Sequence, residues 1–285
     1  MLTSQQQVKD IFFCPEESNF YAYCLESLVL NQCIGSESII EFGSGDGSPV
    51  IQSLLRTNFD GIVHGFELNK LAYAEANLKI KKYGLSEKYL IHNGSFFDSE
   101  RPKAKYLVSN PPYLPALDNK LYQPLLHGGK DGITVTQKLL ALDYENVLVM
   151  AASYSNPEGL IDYAITKGYH ISNFIISPLK FGYYSSEPKV MDRIGEMKKN
   201  NMAFCSQNIY LLAGVLFTKR HQAKVDLSTE ILQIMTERTK RIHVELMPLQ
   251  IVSQLNALKK QLALFIDSPS RVVKIFILMV LKNCV

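Results

Sequence analysis

Asn110-Pro111-Pro112-Tyr113 follows a short apolar run over 106–109, and its residue types suit a defined piece of chemistry. Two consecutive prolines stiffen a loop and remove two backbone donors. Their carbonyls stay as acceptors, and the Asn110 amide oxygen adds another. An acceptor-rich loop of this kind suits an NH2 group. The lone pair of an amide or exocyclic amine is delocalised into a π-system and attacks carbon poorly. Two acceptors that grip its N–H bonds can rotate or pyramidalise the nitrogen and aim the lone pair at an electrophile. That is catalysis by positioning and electrostatics, without a strong base. Tyr113 is placed to pack over the planar group, so Asn110, Pro111 and Tyr113 are the candidate catalytic residues.

A second cluster supplies the other half of such a site. Glu41-Phe42-Gly43-Ser44-Gly45-Asp46-Gly47 begins at the end of a strand pattern, and glycines there permit a tight turn and close approach of a ligand to the backbone. Glu67 closes the next strand 20 residues after Gly47, the interval expected of a carboxylate that accepts from ribose hydroxyls. A dinucleotide site shares this layout, but its third glycine would fall on Ser48. The pattern is GxGxG, which fits S-adenosylmethionine (SAM) better than a pyrophosphate. The candidate cofactor residues are Glu41, Gly43, Gly45, Gly47 and Glu67, with Asn110 shared between cofactor and acceptor. Asn93-Gly94-Ser95-Phe96 follows the third strand, where Ser95 could meet an adenine edge and Phe96 cover its face; Asp98 is a possible substitute and an ordinary polar turn the alternative.

The elements that must hold these loops alternate strand and helix, as in a layered α/β fold. Strands are expected over 38–42, 61–66, 89–92, 106–109, 146–151, 171–176 and 209–218. Helices are expected over 50–55, 69–83, 134–142, 161–167 and 189–200. Residues 1–218 form one expected domain with a short N-terminal helical segment, and 219–285 a C-terminal helical extension with helices over 227–246 and 249–265 broken at Pro248. The long segment 177–207 connects the last two strands and suits a lid or a substrate contact. Its Phe181, Tyr183 and Tyr184 could form a substrate wall or pack a loop.

With these residues in place, the chain resembles class I SAM-dependent methyltransferases, and within them the HemK-like enzymes that methylate a glutamine of release factors. Three further stretches carry the resemblance. Residues 14–20 (Cys14-Pro15-Glu16-Glu17-Ser18-Asn19-Phe20) are similar to the Pro-x-Glu-Asp-Thr-Phe segment of the short relatives. Asn69, Ala72, Ala76, Asn77, Gly84 and Leu85 match the helix after the second strand. His127-Gly128-Gly129-Lys130-Asp131-Gly132 with Leu139-Leu140 resembles the Gly-Gly-x-Asp-Gly stretch that follows NPPY. The resemblance covers roughly residues 12–218 and implies a Rossmann-like seven-stranded sheet, order 3-2-1-4-5-7-6 with strand 7 antiparallel. It departs from the family at Ser95, where an acidic residue is usual, and at Gln137, where an arginine is usual. About 40 residues precede the glycine loop, too few for the N-terminal helical domain of the bacterial enzymes, and neither 177–207 nor 219–285 has a family counterpart.

Composition narrows the classes. A hydrophobic content of 47% with 20% charge is that of a soluble globular chain. The net charge of +3 demands neither nucleic acid nor membrane. The five cysteines show neither a CxxC pair nor ligand spacing, so reduced thiols and a cytoplasmic location are expected. The N-terminus lacks the apolar stretch of a signal peptide, and 275–281 is too short to span a bilayer. The six histidines show no metal spacing, and no metal is expected. Arg238, Lys240, Arg241 and His243 form a small basic cluster that reads as a solvated helix face or as an RNA contact. Three functions follow as expectations. The first is N-methylation of a planar amide or amine, favouring glutamine in a protein partner such as a release factor. The second is N6-methylation of adenine in RNA or DNA. The third is a SAM-binding, non-catalytic partner protein.

Overall fold

In the computed structural model, residues 11–206, 208–222 and 225–238 are described. The strands are β1 (Ser38–Phe42), β2 (Ile62–Glu67), β3 (Tyr89–Asn93), β4 (Tyr106–Ser109), β5 (Asn146–Ala152), β6 (Tyr169–Lys180), β7 (Cys205–Ser206) and β8 (Ile209–Lys219). The helices, in chain order, are α1 (Pro15–Leu28), α2 (Ser48–Arg56), α3 (Lys70–Lys82), α4 (Thr134–Leu140), α5 (Pro157–Thr166), α6 (Pro188–Lys199) and α7 (Ser228–Gln233).

One sheet runs β3-β2-β1-β4-β5-β8-β6, with β8 antiparallel to both β5 and β6. This is the expected order, with one addition. The two-residue β7 pairs with β8, so the sheet has eight strands and the expected seventh is β8. Side chains of β4 and β5 alternate between two cores. Tyr106, Val108, Leu148, Met150 and Ala152 enter one, while Leu107, Val147, Val149 and Ala151 enter the other. Both faces are covered, which is why these strands read as unbroken apolar runs. The first core is completed by α1 (Tyr21, Leu25), α2 (Ile51, Leu54) and α6 (Val190, Ile194); the second by α4 (Leu139), α5 (Leu160, Ile161) and α7 (Ile231).

Two departures from the expected elements have local causes. β6 extends to Lys180 through Pro178, where only 171–176 was expected. It is an edge strand, paired on one side with β8, and an edge tolerates a residue without an N–H. α5 starts at Pro157, four residues before the expected start, because Asn156 caps it by accepting from Gly159 N at 3.2 Å.

Helix α1 presses on β8 at Gly214, where a Cβ would lie 2.4 Å from Cys24 Sγ. A glycine is therefore required for the helix to sit there. The start of the extension belongs to the main fold. Leu227 N donates to Ile171 O at 2.8 Å, and Ile231 and Met235 are buried in the second core. The expected helix over 227–246 is described as α7 and a following π turn over Ile234–Arg238. The remainder of it, the helix over 249–265, the apolar run 272–281 and nearly all of the basic cluster lie outside the described residues. Among the described residues no helix is long and apolar enough to cross a membrane.

Candidate active site

Three loops leave neighbouring strands at one edge of the sheet. In the parallel register Phe42 of β1 stands beside Phe66 of β2 on one side and Ser109 of β4 on the other. The glycine loop, Glu67 and the Asn110–Tyr113 loop therefore start side by side, at the carboxyl ends where ligands of open α/β sheets bind.

The glycine loop is built for close approach. Gly43, Gly45 and Gly47 have φ of +71°, +56° and +72°, a region costly for residues with a Cβ. A Cβ on Gly43 or Gly45 would meet nothing within 4 Å, so the loop faces open space there. Gly47 differs, with a Cβ position 3.2 Å from Ala76 Cβ and 3.3 Å from the Tyr89 ring. Its role is packing at the start of α2. Asp46 accepts from Ser48 N and from Lys79 Nζ, which ties the loop to α3.

Glu67 turns inward at the end of β2. Its Oε2 accepts from Gly45 N and its Oε1 from Asn69 N, each at 2.7 Å. An ionised carboxylate has about four acceptor positions, and the Leu68 N–H faces this one as well, which still leaves room for a hydroxyl donor. Burial raises its pKa above the ordinary carboxylate value, and the backbone N–H groups act against that rise. Glu41 lies under the loop and points elsewhere. It is buried, and it accepts from Tyr21 OH at 3.1 Å and Tyr89 OH at 2.6 Å. Burial lifts its pKa to about 7 despite these bonds. Its place in the structure is as a brace between α1, β1 and β3, which leaves Glu67 as the carboxylate at the loop itself.

Beyond β3, Ser95 is half-buried and its carbonyl accepts from Ser99 Oγ at 2.7 Å. Phe96 is turned into the core. Its ring is buried edge-on against Phe42 and Phe66, at 5.2 Å from each. The adjacent Phe97 is the partly exposed aromatic, 5.6 Å from Phe42. Asp98 is exposed, with its N–H on Ser95 O.

The Asn110–Tyr113 loop is clamped from behind. Ser155 Oγ donates to Tyr113 O at 2.7 Å, and Gly128 N donates to Leu114 O at 2.9 Å. A Cβ on Gly128 would lie 2.6 Å from Tyr113 Cα and 2.8 Å from Pro112 O, and one on Gly132 2.6 Å from Tyr113 O. The Gly-Gly-x-Asp-Gly stretch therefore serves as a backing plate for the loop. His127 belongs to the same plate, its Nε2 2.9 Å from Ala116 O. Tyr113 is buried and its hydroxyl donates to Glu17 Oε2, so its polar end is committed within the protein. The Asn110 Oδ1 is buried and accepts from nothing. In an interior where polar atoms are paired as a rule, that atom is an acceptor without a donor.

Glu17 was visible in sequence only as part of the 14–20 resemblance, and no spacing links it to residues 96 and 193 positions away. Besides Tyr113, its Oε1 accepts from Tyr210 OH at 2.8 Å, and the Asn110 side chain faces the same carboxylate. Burial raises its pKa and these donors oppose the rise. Of the aromatic trio after β6, Phe181 is buried against Tyr154 and Tyr210, whereas Tyr183 is exposed and lies on Tyr122. Among the described residues no group of three or more His, Cys, Asp or Glu is placed to hold a metal ion.

The fit to SAM rests on these features: open space above Gly43 and Gly45, a carboxylate with room for a hydroxyl donor at the end of β2, and an unpaired acceptor one strand away.

No family model matches the chain. It is 27% identical over 143 residues to the release factor glutamine methyltransferase of Thermosynechococcus vestitus, covering 45% of this chain and 46% of that protein. It is 26% identical over 147 residues to the release factor glutamine methyltransferase of Gloeobacter violaceus, covering 48% of each. The chain spans about half the length of these curated relatives. Solved structures that align with it include a SAM-dependent methyltransferase from Geobacter sulfurreducens bound to S-adenosyl-L-homocysteine (12% identity, TM-score 0.44, 73% of this chain and 92% of that one). A protein of the NADB-Rossmann superfamily from Streptococcus agalactiae aligns over 89% of this chain and 96% of its own (9% identity, TM-score 0.46).

Proposed function

We propose that the protein is a SAM-dependent methyltransferase that methylates a planar amide or amine nitrogen, with a glutamine side chain of a protein, such as a release factor, as the favoured acceptor. The observation that carries this reading is the unpaired Asn110 Oδ1, on the loop that leaves β4 next to the strand that ends in the glycine loop. The stretch of sequence shared with release factor glutamine methyltransferases supports glutamine over adenine.

SAM, when bound, supplies a methyl group on a positively charged sulfur. Glu67 would accept from the ribose hydroxyls while keeping the N–H groups of Gly45 and Asn69. Gly43 and Gly45 would admit the methionine part against the backbone. Asn110 Oδ1 and the Pro111 carbonyl would each take one N–H of the acceptor. This turns the nitrogen out of conjugation and stabilises the positive charge it would gain as its bond to the methyl carbon forms and the carbon–sulfur bond breaks, after which the nitrogen would release one proton to solvent. The Ser155 and Gly128 contacts hold the loop still while this happens.

The test is incubation with methyl-labelled SAM and a cell lysate, followed by fractionation. Label in protein, recovered as methylglutamine after digestion that spares the amide, is the expected result. Label in RNA alone rejects glutamine. No label anywhere, with SAM binding seen by calorimetry, rejects the enzymatic reading.

A further inference from the structure

Asn110 has a symmetry problem. The two ends of its carboxamide are nearly the same shape, and only hydrogen bonding decides whether oxygen or NH2 faces the site. Turned one way the residue accepts from an N–H substrate. Turned the other way it presents two donors to that substrate and repels it.

Glu17 removes the ambiguity. An ionised carboxylate only accepts. Both of its oxygens already take phenol donors, from Tyr113 on the same loop and from Tyr210 on β8. The Asn110 side chain meets this same carboxylate, and the Asn110 oxygen is unpaired, so the NH2 end is the one on Glu17. The carboxylate sits in the first turn of α1, where the helix dipole favours negative charge. α1 is itself seated by Cys24 against Gly214 and by Tyr21 on Glu41. Tyr154, ring to ring with Tyr113 and Tyr210, closes the space around them.

We propose that Glu17 is a positioning residue for the acceptor loop: it receives the Asn110 NH2 and the Tyr113 hydroxyl, and so leaves Asn110 Oδ1 as the unpaired end, the acceptor for a nitrogen that still carries hydrogen. This rests on the transfer reading above, since it assigns Asn110 the role of gripping the acceptor. A carboxamide at position 17 would offer its own NH2 to Asn110, which then has reason to turn round. The site would keep its shape and reverse its polarity.

The experiment compares wild type, Glu17→Gln, Asn110→Ala and the double variant, each with labelled SAM and lysate, alongside SAM affinity by calorimetry. Glu17→Gln should keep SAM affinity within about threefold and lower the transfer rate about 100-fold, the scale of a misplaced reacting group. In the Asn110→Ala background the same change should cost nothing further, because both act through one group. Full multiplication of the two losses, or transfer by Glu17→Gln within threefold of wild type, overturns the proposal. A second readout needs no transfer and no variant at Glu17. With 15N-asparagine label, the Asn110 side-chain NH2 signal is identified by its loss in Asn110→Ala. Exchange with solvent much slower than in free asparagine is expected; equal exchange overturns the proposal. If wild type transfers no label, the methyltransferase reading fails, while the NMR result still decides whether Glu17 holds Asn110.

Discussion

Replacing Glu41 by glutamine isolates one buried titration beneath the glycine loop. Glu41 is fully enclosed, accepts from Tyr21 and Tyr89, and has its pKa moved from 4.5 to about 7, with burial as the cause. The sign follows from proton counts. Between those two values the unfolded chain has released the proton and the folded protein keeps it. Stability therefore falls as pH rises. The contribution is fully present below pH 4.5 and lost by the time pH has passed 7. At 1.36 kcal/mol for each unit, the displacement corresponds to roughly 3 kcal/mol. Glutamine has no proton to lose, so its protein lacks this term. The two proteins should have similar stability near pH 4.5, and the variant should gain on wild type by about 3 kcal/mol at pH 7.5. For a chain of this size that is a change of roughly 6–12 °C in the Tm difference. The assay is thermal unfolding of both proteins at four or five pH values and constant ionic strength. Glu17, whose pKa is also raised by burial, is present in both and drops out of the difference, whereas the charge of Glu67 is part of what raises Glu41. A gap that stays flat across this range would refute the account of Glu41 as a carboxylate held protonated by its surroundings.

Three other perturbations address the site. Asn110→Ala should leave SAM affinity within a few-fold and lower methyl transfer by about 100-fold or more, as loss of one positioned polar group does; calorimetry and label incorporation read the two effects separately. Gly45→Ala places a methyl group in the open space above the loop and strains a residue at φ +56°. It should cost about 1–3 kcal/mol in stability and weaken SAM binding at least about tenfold, seen by urea unfolding and by calorimetry. Gly128→Ala puts a Cβ against backbone at 2.6 and 2.8 Å, contacts that no side-chain rotation relieves. The acceptor loop must move, so the transfer rate should drop about 100-fold while SAM affinity holds, because a small misplacement of reacting groups is expensive.

Much of this protein was legible in its sequence, because the signals were local. The strands at 38–42 and 106–109 have the expected bounds, since apolar runs ending in Gly43 and Asn110-Pro111 leave no other reading. Asn69 caps α3, accepting from Leu71 N at 2.9 Å, as a polar residue before a helical pattern should. The pairing of Gly43–Gly47 with Glu67 was readable from one interval, because consecutive parallel strands bring their ends together at a nearly fixed chain length.

Tertiary structure decided the rest, and in each case the reason is that the partners are far apart in the chain. Glu41 and Glu67 are both acidic residues at strand ends, and only packing shows one buried on two phenols and the other bonded to Gly45 N. Phe96 and Phe97 are adjacent and identical in type; the path of the chain after β3 sends the first into the core and leaves the second partly exposed. Tyr113 was read as a ring packed over the planar group, and only the fold shows that its hydroxyl is anchored to Glu17, across 96 residues. Sequence spacing carries the chemistry available within a loop. What holds the phenol at the end of that loop is a carboxylate from α1, and only the folded chain brings that carboxylate there.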